Sequence, residues 1–128
     1  MSLLLDSHII LWWMEGSPKL PATARKMIEA TTDTVFVSYA TLWELAVKQS
    51  NGKLKMDVDA FHRNVATDGF TWLDIAPKHI TMVAQLQRFD DHKDPFDRLL
   101  VAQSLSEPLI LLTADEKLAR YGTTVRVV

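Results

Sequence analysis

The chain has 128 residues, which suits one domain with its own core, and 48% hydrophobic with 23% charged residues is an ordinary globular composition. It contains no cysteine, which excludes disulfides and thiolate metal sites. Its net charge of −2 excludes a global positive field that would attract nucleic acid, so an anionic substrate would require a local basic rim or metal ions.

The N-terminal half alternates short apolar runs with helical patterns. Residues 3–5 predict a buried strand that ends at Asp6, and residues 7–14 predict a helix that is apolar nearly all round. This excess apolar surface favours deep burial or a contact with a second chain. The further predicted elements are a helix opened by Leu20-Pro21, a strand over 35–37 ending at Ser38, a helix over 39–50 and an amphipathic helix over 57–68.

The C-terminal half continues the same alternation. The predicted elements are a weak strand over 70–75, a helix over 77–87, a charged loop over 88–93, a helix from Pro95, a strand over 109–112, a helix from about 113 to Tyr121 and a strand over 125–128. No repeat or linker interrupts them, so we expect a single domain over residues 1–128.

The N-terminal apolar segment also bears on targeting. Asp6 and His8 interrupt it and no basic region precedes it, which argues against a signal peptide. No apolar run approaches the ~20 residues of a membrane span. We therefore expect a cytoplasmic protein with no membrane partner.

Four acids follow the predicted strands or begin helices beside them. Continuous apolar strands that alternate with helices predict an α/β fold with a parallel sheet, in which sites form beyond the carboxyl ends of the strands. Asp6 follows the first strand, Glu44 lies early in the helix after the second, Asp97 begins a helix, and Asp115 follows the fourth strand. A parallel sheet would bring all four to one edge.

Each acid also has a purely structural interpretation. Asp6 could cap the first helix, and Asp97 and Asp115 could interact with helix dipoles. Thr41 with Glu44 and Thr113 with Glu116 both match a capping box. Asp94 stands before Pro95 in His92-Lys93-Asp94-Pro95-Phe96-Asp97-Arg98, where it suits an N-cap.

Convergence of four acids favours a metal site over four independent caps. Like charges that close together repel, and a divalent cation relieves the repulsion. Mg²⁺ and Mn²⁺ prefer carboxylate and water ligands. Such a cluster supports hydrolysis of a phosphodiester by water.

Four motifs follow one another along the chain, namely Leu-Leu-Leu-Asp6-Ser-His, Ser38-Tyr-Ala-Thr-Leu-Trp-Glu44-Leu-Ala, His92-x-Asp94-Pro-Phe-Asp97-Arg-Leu-Leu-Val-Ala-Gln and Leu-Leu-Thr113-Ala-Asp115. In this order they resemble the motifs of PIN-domain ribonucleases, and within that family those of the VapC-type toxins of toxin–antitoxin pairs. They span essentially the whole chain. Ser7 stands where the family often has Thr, a departure that keeps the hydroxyl.

The resemblance implies a three-layer α/β/α sandwich with a mainly parallel central sheet. It implies a Mg²⁺- or Mn²⁺-dependent endoribonuclease that forms a homodimer and is held inactive by a VapB-type antitoxin. It places the catalytic site on Asp6, Glu44, Asp97 and Asp115, with Asp6, Asp97 and Asp115 as metal ligands. Asp94 is either part of this site or only a cap.

The remaining candidates are predicted from residue type alone. His92 would orient a water or contact a phosphate, although a lone loop histidine is more often simply solvated. Ser38 and Thr113 would hydrogen-bond the acids or cap helices. Arg98 and Lys48 would contact RNA.

Two other classes of protein fit part of the pattern. One is a catalytically silent PIN-like binding module whose acids are structural or bind an arginine of a partner. The other is a phosphoacceptor domain, which needs a lysine after a late strand. Neither Thr113-Ala114 nor the segment after Val125 supplies that lysine convincingly.

Overall fold

A five-stranded, all-parallel sheet forms the centre of the computed structural model, which describes residues 1–128. The strands are β1 (Leu3–Leu5), β2 (Val35–Ser38), β3 (Thr71–Leu73), β4 (Ile110–Thr113) and β5 (Val125–Val127). Their spatial order is β3-β2-β1-β4-β5. The central strand β1 pairs with both β2 and β4, so Leu5 lies opposite Val37 and Leu112. The predicted parallel sheet is confirmed, and the carboxyl ends of its strands share one edge.

Helices cover both faces of this sheet. They are α1 (Ser7–Glu15), α2 (Ala22–Ala30), α3 (Tyr39–Ser50), α4 (Val58–Thr67), α5 (Pro77–Val83), α6 (Pro95–Ser106) and a 3₁₀ helix (Glu116–Tyr121). The predicted three-layer α/β/α arrangement is therefore confirmed. None of these helices combines the length and apolar character that crossing a bilayer requires.

The core is divided by the sheet into two apolar clusters. Alternate side chains of a strand point to opposite faces, and Leu3 and Leu5 pack into one cluster while Leu4 packs into the other. The same alternation puts Leu111 and Leu112 of β4 on opposite sides. Continuous apolar runs are thus explained by burial on both faces, as expected for parallel strands.

Two helices differ from their predicted form. The helix predicted over 77–87 ends as an α-helix at Val83, because the next three residues through Leu86 form tighter bonds to carbonyls three residues back. The helix predicted to end at Tyr121 is a 3₁₀ helix that begins only at Glu116. A glycine at φ 135° then stops it at position 122, as predicted.

Neither of the two sequences that match a capping box forms one. Ser38 caps α3 by accepting a hydrogen bond from the Ala40 N–H, so Thr41 and Glu44 lie inside the helix. Asp115 caps the 3₁₀ helix, which leaves Thr113 outside it. The sequence motif was present in each case, but the chain entered the helix at a different residue.

The cap of α6 agrees with the sequence. The Asp94 side chain accepts hydrogen bonds from the N–H groups of Phe96 and Asp97 at 2.9 and 3.0 Å. Pro95 occupies the first helical position, where a missing N–H costs no hydrogen bond. This cap fixes the start of α6 and with it the position of Asp97.

Candidate active site

Asp6 lies at the carboxyl end of the central strand and is only 4% exposed. One carboxylate oxygen accepts a hydrogen bond from the Ser7 N–H at 2.6 Å, and the other accepts from the Thr113 hydroxyl at 2.6 Å. Burial raises the pKa of this carboxyl above its ordinary value, and the two hydrogen bonds offset part of that rise. The orientation of the Asp6 carboxylate is therefore fixed by α1, through Ser7, and by β4, through Thr113.

Ser7 connects Asp6 to the acid of α3. Its hydroxyl donates to Glu44 Oε1 at 2.6 Å and lies 3.3 Å from the Thr41 hydroxyl. The other oxygen of Glu44 lies 3.0 Å from Lys48 Nζ, one helical turn further along. Glu44 is buried, so these contacts compensate a charge that would otherwise be costly.

Asp97 projects from the first turn of α6 into the same region. Burial, followed by the negative charges of Asp6, Asp94, Glu44 and Asp115, raises the pKa of its carboxyl to about 8. Four acids therefore act on a fifth, which is the crowding expected when the carboxyl edge of a parallel sheet collects them.

His92 is the unexpected member of the group. It is 6% exposed, with Nδ1 at 2.8 Å from the Tyr121 hydroxyl and Nε2 at 3.3 Å from Asp97 Oδ2. A bridge between Phe89 and His92 folds the charged loop back on itself and turns the ring inward. The interpretation of His92 as a solvated loop residue is therefore wrong.

Asp115 completes the cluster. It follows β4, which flanks β1 on the side opposite to β2, the strand that precedes Glu44. One potential ligand atom each from His92, Asp97 and Asp115 lies within 4.8 Å of the others. The Asp115 N–H donates to the Thr113 hydroxyl, which in turn donates to Asp6. Thr113 thus hydrogen-bonds an acid, whereas Ser38 acts as the cap of α3.

The two predicted RNA-contacting cations are both engaged within the protein. Lys48 pairs with Glu44, as described above. The Arg98 guanidinium donates to the carbonyl oxygens of Gln87 and Val83 and to the Tyr121 hydroxyl. Arg98 therefore braces the loop beside His92, and contact of either cation with RNA stays a prediction.

Two residues of this network were not assigned a role from the sequence. Tyr121 joins His92 to Arg98, yet it sits 29 and 23 positions away from them. Thr41, which is fully buried beside Ser7, was considered only as a cap. No local pattern identifies Tyr121, because a tyrosine at the end of a short helix is ordinary.

The chemistry of the donor set fits a hard divalent cation. The donors are carboxylate oxygens with a single imidazole nitrogen, and no sulfur is present. Carboxylates suit Mg²⁺ and Mn²⁺. The cluster is therefore an acidic site able to hold a cation.

Comparison with known proteins points to one family. The family model of the PIN domain matches residues 3–123. Ribonuclease VapC22 of Mycobacterium tuberculosis is 25% identical over 131 residues, which cover 94% of this chain and 92% of the relative.

Solved structures share the fold. One is a chain of VapBC2 from Rickettsia felis, in a structure bound to a DNA fragment from the VapBC2 promoter. The alignment covers 100% of this chain and 98% of that chain, with a TM-score of 0.72 and 18% identity. A chain of DNA-bound VapBC from Salmonella typhimurium aligns over 100% and 97% with a TM-score of 0.71 and 16% identity.

Proposed function

This chain belongs to the PIN-domain family, and from that premise we propose that it is a divalent-metal-dependent endoribonuclease that acts as the toxin of a toxin–antitoxin pair. Its substrate is RNA, whose phosphodiester bonds it hydrolyses. The similarity to a relative named as a ribonuclease supports this assignment. The observation that carries it is the crowded acidic cluster at the carboxyl edge of the sheet.

Crowding of acids is the property that a metal-dependent nuclease needs. An RNA phosphate would be repelled by this cluster, and burial together with repulsion from the neighbouring acids already raises the pKa of Asp97 to about 8. Both repulsions are relieved by a divalent cation. Residues that served only as caps would gain nothing from lying so close together.

We assign Asp6, Asp97 and Asp115 as the residues that would hold Mg²⁺ or Mn²⁺; the structure groups ligand atoms of the last two with His92, and Asp6 is the neighbouring charge that acts most strongly on Asp97. When bound, such a cation lowers the pKa of an attacking water and stabilises charge on the phosphoryl oxygens and the leaving group. Glu44 is the fourth catalytic acid in this proposal. Asp94 is the cap of α6, which positions Asp97 and contributes negative charge nearby.

The surrounding side chains position the acids. Thr113 and the Ser7 N–H hold the two oxygens of Asp6, and the Ser7 hydroxyl with Lys48 holds those of Glu44. His92 contacts Asp97, and its ring is fixed by Tyr121. Groups that fix ligand orientation in this way commonly affect activity by 10- to 100-fold.

The test is cleavage of RNA by the wild-type protein and by Asp6→Asn. We expect cleavage in Mg²⁺ or Mn²⁺, none in excess chelator, and a loss of more than about 100-fold in Asp6→Asn with the fold intact. Asp59→Asn is the matched control, because Asp59 is an exposed acid in the first turn of α4. Cleavage by Asp6→Asn at the wild-type rate, or cleavage in chelator, would refute the metal site, whereas no cleavage by the wild-type protein would leave a binding module instead of a nuclease.

We further propose that the partners are a VapB-type antitoxin and a second copy of this chain, in the cytoplasm where its RNA substrate is found. Chains of VapBC complexes are among the proteins that share this fold. The half-buried side chains of residues 11–14 at the end of α1 leave apolar surface available for such contacts.

A further inference from the structure

One aromatic side chain is exposed beside the acidic cluster. Four large apolar side chains are more than a third exposed, namely Met1, Trp43, Ile80 and Leu105. Trp43 is the only aromatic residue among them and is 54% exposed. Isolated exposed apolar residues are common on proteins, so the position of Trp43 carries the argument.

Trp43 lies where the two acid-bearing helices meet. It directly precedes Glu44 on α3, and its ring packs against that of Phe96, which directly precedes Asp97 on α6. The ring centroids are 4.7 Å apart at an interplanar angle of 75°. This edge-to-face contact fixes the indole and leaves at least one of its faces open.

The electrostatics of the site make such a surface useful to an RNA substrate. The chain has a net charge of −2, and the nearest cation on α3, Lys48, is paired with Glu44. Attraction of the phosphate backbone, which usually dominates nucleic-acid affinity, is therefore left to exposed cations on other segments, such as Lys93. Stacking of a base on an aromatic ring gives affinity that does not depend on charge.

Resting on the ribonuclease function proposed above, we propose that Trp43, held by Phe96, is a base-stacking residue that positions the nucleotide next to the scissile phosphate. A phosphodiester at the acidic cluster necessarily places a neighbouring base close to it, and the exposed indole lies at the junction of the two helices that carry Glu44 and Asp97. Trp43 acts on binding and register of the RNA, whereas the acids act on the reacting phosphate.

The test compares Trp43→Leu, which keeps apolar volume, with Trp43→Phe, which keeps an aromatic face. With a single-stranded RNA oligonucleotide in Mg²⁺, we expect Trp43→Leu to lower kcat/KM about 5- to 100-fold, mainly through KM, and Trp43→Phe to restore most of it. An abasic nucleotide beside the mapped cleavage position should weaken the wild-type reaction by a similar factor. The abasic nucleotide should weaken cleavage by Trp43→Leu much less, because this variant has already lost the stacking between the indole and the base.

Ile80→Ala is the matched control. Ile80 is 59% exposed on α5, and its neighbour His79 bonds to Glu107 at the far end of α6, about 15 Å along the helix from Asp97. We expect Ile80→Ala to leave kcat and KM unchanged. Sedimentation of each variant then reports whether the subunit state has changed.

A binding measurement separates failure of this inference from failure of the nuclease assignment. Fluorescence anisotropy of the labelled oligonucleotide is measured in the Asp6→Asn background, with and without Trp43→Leu. Weaker binding with Trp43→Leu but no wild-type cleavage would support the stacking surface and refute the nuclease. Cleavage and binding that are indifferent to Trp43→Leu would refute the stacking surface and leave the nuclease standing. Conversion of a dimer to a monomer by Trp43→Leu would also refute the stacking role, because the indole would then belong to a contact between subunits.

Discussion

Replacing Asp97 by Asn should stabilise the metal-free protein, and the gain should grow with pH. The pKa of Asp97 is raised from 3.8 to about 8 in the folded protein, first by burial and then by neighbouring acids. Between these values the folded state binds more protons than the unfolded state, so stability falls as pH rises. The penalty is absent below about pH 4 and complete above about pH 8.

The magnitude follows from the size of the shift. Each pKa unit corresponds to about 1.4 kcal/mol, so at pH 7 the penalty is at most about 4 kcal/mol, reduced by solvent reaching a side chain that is 21% exposed. Asn loses about 0.3–1 kcal/mol of interaction with the helix dipole. Asp97→Asn should therefore be more stable than wild type by about 1–3 kcal/mol at pH 7, and near neutral at pH 4–5.

The assay is urea unfolding of both proteins in chelator at pH 5, 6, 7 and 8. Asp59→Asn, which removes an exposed acid from the first turn of α4, should show no comparable growth with pH. A constant or negative stability difference between Asp97→Asn and wild type across this range would refute the crowded cluster. The acid would then be only a partner of the helix dipole.

Three further expectations follow from the same structure. Mg²⁺ or Mn²⁺ at 100 times its Kd should stabilise the wild-type protein by about 2.7 kcal/mol, measured by thermal unfolding, and should stabilise Asp97→Asn by much less. Equal gains in the two proteins would argue against a metal shared by the acids. Glu107→Ala should cost about 1–3 kcal/mol, because it leaves the N–H of the fully buried His79 unpaired, whereas Lys78→Ala should stay within about 0.5 kcal/mol in the same denaturation series. The protein should sediment as at least a dimer at micromolar concentration with Trp12 shielded from quencher, and a monomer would contradict the proposed subunit contact through α1.

The sequence alone was sufficient for the fold class and for the edge that carries the acids. Apolar runs such as residues 109–112 require cover on both faces, and their alternation with helices favours a parallel sheet between helical layers. The position of Asp6 directly after the first strand then follows from chain order. Hydrophobic periodicity is a local property, so it survives in the sequence without knowledge of the tertiary structure.

Tertiary structure alone decided how the acids are held and how strongly they interact. His92 is buried because a loop folds back and Tyr121, 29 residues later, meets its ring. The Ser7 hydroxyl reaches Glu44 across 37 positions, and the pKa of Asp97 depends on burial and on charges that include Asp6, Glu44 and Asp115 from three other segments. These contacts form through space between elements distant in the chain, and no spacing rule in one dimension encodes the distances on which hydrogen bonds and Coulomb interactions depend.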